Sequence, residues 1–160
     1  MQFRIGTGFD VHRLADGLPL VLGGVRIPFG KGLEGHSDAD VLVHAVIDAL
    51  LGSLALGDIG IHFPDSDPRY RGINSLVLLK QVWQLVRGKN FHLGNLDSIL
   101  IAENPKMSPF LDAMRSNLAE CLESTKDLIS IKATTTEKLR ITGRGQGIAA
   151  QVVVLLHGTS

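Results

Sequence analysis

A long apolar segment with helical periodicity, residues 36–56 (HSDADVLVHAVIDALLGSLAL), constrains the fold more than any other part of the chain. Ser37 or Asp38 is the predicted N-cap, since either side chain can accept a hydrogen bond from the first free N–H groups of a helix. Gly52 and Gly57 mark its end. Four apolar residues recur at the spacing of one helix face: Leu42, Val46, Ala49 and Leu50. The pattern therefore predicts an amphipathic helix whose apolar face packs against the core.

The segments before and after this helix alternate between strand and helix signals. Two further helices are predicted at 74–87 and 108–124, the second with Ser108 as cap and Pro109 at its first position. Apolar runs rich in β-formers predict the strands: 2–9, a hairpin around glycines 23–24, 91–103, 128–136 and 147–158. This order predicts an α+β fold in a single domain, residues 1–160, with a mixed sheet and helices packed on one of its faces.

Composition excludes several classes of function. Sixteen basic residues balance sixteen acidic ones, so a surface for nucleic acid is not expected. No apolar run approaches the ~18 residues of a membrane span. Cys121 is the single cysteine, which rules out an internal disulfide and favours a reducing compartment. We expect a cytoplasmic protein of bacterial type, and a mature plastid form fits the same composition.

Asp10 and His12 form a D-x-H pair near the end of the first predicted strand. Side chains alternate along a strand, so the two point to the same face if the strand continues through Val11. Taken alone, such a pair is more often a surface feature than a metal site. His44 changes that balance because it shares a helix face with Asp40 and Asp48, whose carboxylates could orient its imidazole.

Asp10, His12 and His44 would offer one oxygen and two nitrogen ligands, a set that suits zinc. Three protein ligands with an open fourth position are typical of catalytic zinc, and one cysteine is too few for a thiolate cage. His36 is either a fourth ligand or a hydrogen-bond donor to whatever occupies the open position.

Several motifs resemble one enzyme family when they are taken in order. They are GFDVHRL, HSDADVLVHAVIDALLGSLALGDIGIHFPDSDP, PKM, KATTTEKL and TGRG. At this spacing, from about Phe3 to near Leu156, the chain resembles the 2-C-methyl-D-erythritol 2,4-cyclodiphosphate synthase family in its monofunctional form. The resemblance implies an enzyme of the non-mevalonate isoprenoid pathway, a lyase that closes a cyclic diphosphate and releases CMP.

The resemblance also implies roles for individual residues. His36 and Thr135 match the proposed transition-state stabilisers. Asp10, His12 and His44 match the ligands of one zinc ion per subunit, and Glu137 matches a ligand of a second divalent cation, magnesium or manganese. Substrate contacts are implied in four regions. The phosphate and ribose site includes Ser37, Asp58, Ile59 and Gly60, and a mobile loop includes Phe63, Pro64, Asp65, Ser66 and Asp67. The cytosine pocket includes Ala102, Glu103, Asn104, Pro105, Lys106, Met107 and Ser108, and the diphosphate segment includes Thr134, Thr136, Ile141 and Arg144.

The family further implies a partner, a second copy of the chain. Its active sites are completed between subunits of a homotrimer, and some relatives bind an isoprenoid diphosphate in a cavity on the trimer axis. Phe9 and Arg144 are the candidates to line that cavity. Arg140 and Ile141 stand where the family often has glycine and an aromatic residue, and Gln146 stands where glutamate is frequent.

Two other functions share part of this evidence. A zinc hydrolase acting on a phosphoester or an amide would use the same three ligands, and a non-catalytic protein that binds metal or isoprenoid would use them only to hold the ion. Neither function explains the threonine run or the PKM segment.

Overall fold

The computed structural model of the chain describes residues 2–158 and contains one five-stranded mixed sheet. The strand order is β4-β1-β7-β5-β6, and a separate hairpin pairs β2 with β3. β5 and β6 are parallel, whereas the other pairs are antiparallel. The strands are β1 (Gln2–Asp16), β2 (Leu20–Leu22), β3 (Val25–Ile27), β4 (Lys31–Leu33), β5 (Phe91–Ile101), β6 (Ile129–Thr134) and β7 (Gly147–Gly158). The predicted mixed sheet of an α+β fold is confirmed.

Five helices accompany the sheet in the described residues: α1 (Val41–Ser53), α2 (Ile59–His62), α3 (Ser75–Gly88), α4 (Leu111–Cys121) and α5 (Arg140–Gly143). Single 3₁₀ turns lie at Pro68–Tyr70 and Lys126–Leu128. Within residues 2–158, no helix has the length and apolar character that crossing a membrane requires.

The central helix α1 rests directly on β1 because two glycines of the strand lack side chains. A Cβ atom at Gly6 would lie 1.8 Å from the Ala49 carbonyl oxygen, and one at Gly8 would lie 1.9 Å from that of Ala45. Any larger residue would push the helix off the sheet. The alternation that turns Gly6 and Gly8 toward the helix places Asp10 and His12 on the same face.

The two faces of the sheet are covered very differently. Even-numbered residues of β7, from Ile148 to Leu156, are buried under the helices. The opposite face carries apolar side chains that lie open to solvent in the single chain, including Phe3, Phe9 at 59% exposed and Ile5 at 72%. The long helices α1, α3 and α4 therefore pack on one face, as expected, and the short helix α5 lies beside the start of β7.

The structure corrects three predicted boundaries. The N-cap of α1 is Asp40, whose carboxylate accepts from the Val43 N–H, so neither Ser37 nor Asp38 has this role. The third long helix begins at Leu111 behind Phe110, and Ser108-Pro109 lies in a turn instead of capping it. The first strand continues to Asp16, well beyond the predicted end at residue 9.

The reason for the first correction lies in tertiary contacts. Asp40 is fully buried and also accepts hydrogen bonds from the N–H groups of Gly23 and Gly24, at 2.9 and 2.7 Å. One carboxylate thus caps α1 and holds the turn of the β2–β3 hairpin. The strand was underestimated because its length depends on pairing with β7 and β4, and pairing partners leave no local signal.

Candidate metal centre

Three side chains from β1 and α1 meet at one point. Asp10 Oδ2 lies 3.0 Å from His12 Nε2 and 3.0 Å from His44 Nδ1. The two imidazole nitrogens are 3.3 Å apart. The predicted metal ligands therefore present one oxygen and two nitrogen atoms to a common centre, in the only such group of His, Cys, Asp and Glu side chains found among residues 2–158.

Each imidazole is oriented through its other nitrogen. His12 Nδ1 lies 2.6 Å from the Glu34 carbonyl oxygen, to which it donates, and His44 Nε2 lies 3.0 Å from Ser37 Oγ and 2.9 Å from Ser75 Oγ. Outer partners of this kind hold metal-ligating histidines in the correct tautomer. The donor set and its outer partners therefore fit a divalent metal ion such as zinc.

The predicted orienting carboxylates, Asp40 and Asp48, do not have that role. Asp40 is engaged with the backbone of the hairpin and of α1, and Asp48 accepts a hydrogen bond of 2.8 Å from the Ile59 N–H. Helical spacing predicts that both carboxylates lie on the same side of α1 as His44. Each carboxylate instead accepts hydrogen bonds from backbone N–H groups that the packing of neighbouring segments places beside it.

The electrostatics of the cluster keep Asp10 ionised. Burial alone would raise the pKa of Asp10, but its close contacts with the imidazoles of His12 and His44 hold it well below its ordinary value. The contact with Asp10 in turn raises the pKa of His12, so a proton competes with a metal ion for this imidazole. Asp10 therefore remains a carboxylate over the whole physiological range, which is the state that binds a metal.

A cavity of about 350 Å³ opens in front of the three ligands. Its wall gathers a large share of the predicted contacts: His36, Ser37, Ile59, Gly60, Phe63 and Asp65. It also includes residues that were not predicted as substrate contacts: Glu34, Gly35, Asp48, Tyr70 and Leu78. Tyr70 packs edge-on against Phe63 with ring centroids 5.3 Å apart, and its aromatic character in the PDSDPRY segment was the signal that could have identified it.

The predicted mobile loop closes over this cavity. His36 Nε2 lies 3.4 Å from the Asp67 carbonyl oxygen, and the His36 carbonyl accepts from the Gly72 N–H at 2.7 Å. Asp67 caps the turn at Pro68–Tyr70 and pairs with Arg69. Pro64 and Ser66 are exposed outside the cavity wall. Asp58 caps α2 through the Ile61 N–H, next to Gly60 of the wall.

A second cluster of predicted contacts lies at the ends of β5 and β6. The Ala102 N–H donates to the Thr134 carbonyl at 3.0 Å, which joins the segment Ala102–Ser108 to the segment Thr134–Thr136. Glu137 has a positive φ of 52° and accepts a hydrogen bond of 3.0 Å from Thr135 Oγ1. These polar groups are largely exposed.

The two clusters lie at the same end of the sheet but well apart. β1, β5 and β6 run in one direction, and the registers place Asp10, Ala150, Leu100 and Ala133 in one row. Three strand spacings separate the outer members of that row by about 14 Å. Within one chain, Thr135 and Glu137 therefore do not share the cavity of the metal ligands.

Ile141 and Arg144 belong to a third location. They line a cavity of about 720 Å³, bordered also by Val11, Arg13, Lys31 and Gln146. The predicted axial residue Phe9 lies on the same uncovered face of the sheet as Val11. This cavity is distinct from that of the metal ligands, although His12 contributes to the walls of both.

Comparisons with known proteins agree with the geometry. Residues 3–157 match the model of the YgbB family. The chain is 58% identical to a 2-C-methyl-D-erythritol 2,4-cyclodiphosphate synthase of Bacillus cytotoxicus, over 98% of this chain and 99% of that protein.

Solved structures show the same similarity. The bifunctional IspDF from Campylobacter jejuni matches with a TM-score of 0.95 at 44% identity, and the match covers 99% of this chain but 43% of that one. A CDP complex of IspF from Plasmodium falciparum matches with a TM-score of 0.87 at 33% identity, over 99% and 97% of the two chains.

Proposed function

Since the chain belongs to the YgbB family of 2-C-methyl-D-erythritol 2,4-cyclodiphosphate synthases, we propose the residues that carry its reaction. The activity converts 4-diphosphocytidyl-2-C-methyl-D-erythritol 2-phosphate into 2-C-methyl-D-erythritol 2,4-cyclodiphosphate and CMP, in isoprenoid precursor biosynthesis. The observation that supports the assignment most strongly is the convergence of Asp10, His12 and His44 within 3.3 Å at the floor of a cavity.

Asp10, His12 and His44 hold zinc in this proposal, and Glu137 holds a second cation, Mg²⁺ or Mn²⁺, that arrives with the diphosphate. When bound, the two cations neutralise the charge of phosphate groups that would otherwise repel each other. The 2-phosphate is already anionic, so the reaction needs no protein nucleophile and no strong base. The main task of the protein is to bring the two phosphates of one substrate together.

The other predicted residues orient the substrate and donate hydrogen bonds. His36 and Thr135 donate to phosphate oxygens as charge shifts in the transition state. Ser37 contacts phosphate, Asp58 and Gly60 contact the ribose region, and the loop of residues 63–67 covers the methylerythritol end. The segment Ala102–Ser108 holds the cytosine. Clamping both ends of a flexible substrate is worth up to about 7–11 kcal/mol in favourable cases.

The active site is shared between copies of the chain, which form a homotrimer. Two observations support this arrangement: the spacing of about 14 Å across three strands between the two clusters, and the apolar sheet face around Ile5 and Phe9 that lies open in the single chain. In this proposal a neighbouring copy covers that face, and the Thr134–Glu137 segment of a neighbouring copy completes the site that the metal ligands begin. We further propose that an isoprenoid diphosphate binds on the trimer axis, near Phe9 and Arg144.

The remaining proposals concern organisation and location. Residues 1–160 form one synthase domain, and the protein acts in the cytoplasm of a bacterial cell. A zinc hydrolase or a passive metal carrier would share the three ligands, but neither would need the cluster of Thr134–Glu137.

One experiment tests the proposed chemistry directly. The substrate is incubated with protein, zinc and Mg²⁺, and the products are followed by ³¹P NMR. We expect CMP and the cyclic diphosphate in equal amounts. A ring-opened hydrolysis product would favour the zinc hydrolase, and unchanged substrate with tightly bound zinc would favour the passive carrier. Sedimentation of the same sample should report three subunits; a fully active monomer would contradict the shared site.

A further inference from the structure

A buried serine outside the predicted site lies against one of the metal ligands. Ser75 is the first residue of α3 and is fully buried. Its Oγ is 2.9 Å from His44 Nε2 and forms a hydrogen bond with Asp38 Oδ1. Asp38 and His44, which lie on either side of the start of α1, are thus linked through Ser75, a residue distant from both in sequence.

Counting the protons of these three side chains fixes the direction of each hydrogen bond between them. A carboxylate can only accept, so the Ser75 hydroxyl donates to Asp38. With its single proton committed, Ser75 Oγ can only accept from His44, and Nε2 must then carry the hydrogen. Neutral imidazole has one such hydrogen, so His44 Nδ1 presents its lone pair toward Asp10 and His12.

Ser37 lies at a similar distance from the same nitrogen but does not impose this choice. Its Oγ is 3.0 Å from His44 Nε2 and accepts from the Ala39 N–H at 3.3 Å. No carboxylate receives the Ser37 hydroxyl proton among the hydrogen bonds of the described residues, so the group can donate or accept as its surroundings require. Ser37 also lines the cavity, where a ligand can take its proton.

Asp38 is held in place by the backbone of two segments. Its Oδ2 accepts from the Ser75 N–H at 3.0 Å, and its own N–H donates to the Ile73 carbonyl at 3.0 Å. Side chain and main chain therefore fasten the loop before α1 to the start of α3. Turning the carboxylate away from Ser75 would break its hydrogen bonds with both the N–H and the hydroxyl group of that residue.

We propose that Asp38 and Ser75 are positioning residues that fix the tautomer and ring orientation of His44 for metal binding. His12 is held in the complementary way, because its Nδ1 hydrogen is accepted by the Glu34 carbonyl and its Nε2 faces the centre. The two histidines thus present different nitrogens, each set by its own outer acceptor. This inference rests on the metal site of the proposed function.

The test compares two deletions of the same hydroxyl group. Zinc affinity is measured by competition with a chromogenic chelator, without substrate, for wild type, Ser75→Ala and Ser37→Ala. We expect Ser75→Ala to weaken zinc binding about 10–100-fold, the usual cost of losing an outer partner, and Ser37→Ala to cost less than about 10-fold. Equal affinity in Ser75→Ala and wild type, or a larger loss in Ser37→Ala, would overturn the proposal.

A second readout separates positioning from packing. In zinc-loaded wild type, NMR should show a His44 Nε2–H that exchanges slowly with water, because it is buried and donated to Ser75. Ser75→Ala should speed that exchange, and Ser75→Thr, which restores the hydroxyl, should slow it again and recover zinc affinity. A rapidly exchanging proton in wild type would contradict the proposal even if Ser75→Ala failed to fold.

Failure of the metal site itself would look different. If wild type binds no zinc, the proposed metal centre is wrong. If wild type binds zinc and Ser75→Ala binds it equally well, the metal centre stands and only the role of Asp38 and Ser75 is lost.

Discussion

The metal cluster and the threonine–glutamate segment are both predicted to hold cations, yet they are built in opposite ways. Asp10, His12 and His44 lie between a strand and a helix, and the imidazoles have outer partners within the same chain. Thr134–Glu137 lies exposed beyond the end of β6, and Glu137 is satisfied by its own neighbour Thr135. The first region is organised before any ligand arrives, whereas the second is exposed, and we propose that the substrate and a neighbouring subunit complete it.

The largest expected effect comes from removing a ligand of the organised region. His44→Ala should lower zinc affinity by more than about 100-fold, since loss of a ligand costs more than loss of its outer partner. Zinc content after dialysis, measured by atomic emission, checks this. His92→Ala is the matched control, because His92 stacks on His157 outside the cluster and should keep the zinc. A His44→Ala protein with full zinc content would exclude His44 as a ligand.

The next test asks whether the two regions are independent. Glu137→Gln should reduce turnover by about 10²–10³-fold, the range found when one group that stabilises charge in a transition state is removed. Zinc content should stay unchanged because Glu137 is not one of the three candidate zinc ligands. Turnover is followed by CMP release at several Mg²⁺ concentrations. Loss of zinc in this variant would show that the two regions are coupled.

A third prediction concerns how closely α1 must approach β1 to assemble the cluster. Gly8→Ala places a Cβ against the Ala45 carbonyl and should cost about 1–3 kcal/mol of unfolding free energy, as overpacking usually does. Gly30→Ala, where a Cβ has no neighbour within 4 Å, should change it by less than about 0.5 kcal/mol. Urea unfolding measures both. Equal stability of the two variants would mean that the helix can move away from the strand.

The smallest effect is expected from the exposed ion pair between Lys132 and Asp97. The hydrogen bond from Lys132 lowers the pKa of Asp97, which therefore stabilises the fold above its unfolded pKa, an effect that is lost as the pH falls through the lowered folded pKa. Water screens this pair, so the change is small. Asp97→Asn should slightly reduce the loss of unfolding free energy between pH 5 and 3. The midpoints of urea unfolding at these pH values check this. An unchanged acid profile would show that the pair contributes nothing.

Some residues of the site can be predicted from their neighbours in the sequence, whereas others depend on distant parts of the chain. Asp10 and His12 follow from residue type and strand alternation, and His44 follows from its place on an apolar helix. Phe63 and Asp65 were included through family motifs. Tyr70 was missed although it packs on Phe63, because its role depends on a loop that folds back over His36.

The predicted starts of α1 and α4 were wrong for a related reason. Ser37, Asp38 and Asp40 are all acceptable caps by residue type. Asp40 is the N-cap because the turn of the β2–β3 hairpin donates two further N–H groups to its carboxylate and holds it in place. Ser108-Pro109 has a good starting signal, yet α4 begins at Leu111.

By itself the sequence determined the class of the fold, the family and the three candidate metal ligands that the structure brings together, because these depend on residue types at short spacings and on ordered motifs. Only the tertiary structure decided which nitrogen of each imidazole faces the centre. That choice depends on the Glu34 carbonyl and on Ser75, groups that bear no recognisable pattern. A hydroxyl 31 residues from His44 becomes its partner only when α3 packs beside α1, because hydrogen bonds act over distances that chain folding alone sets.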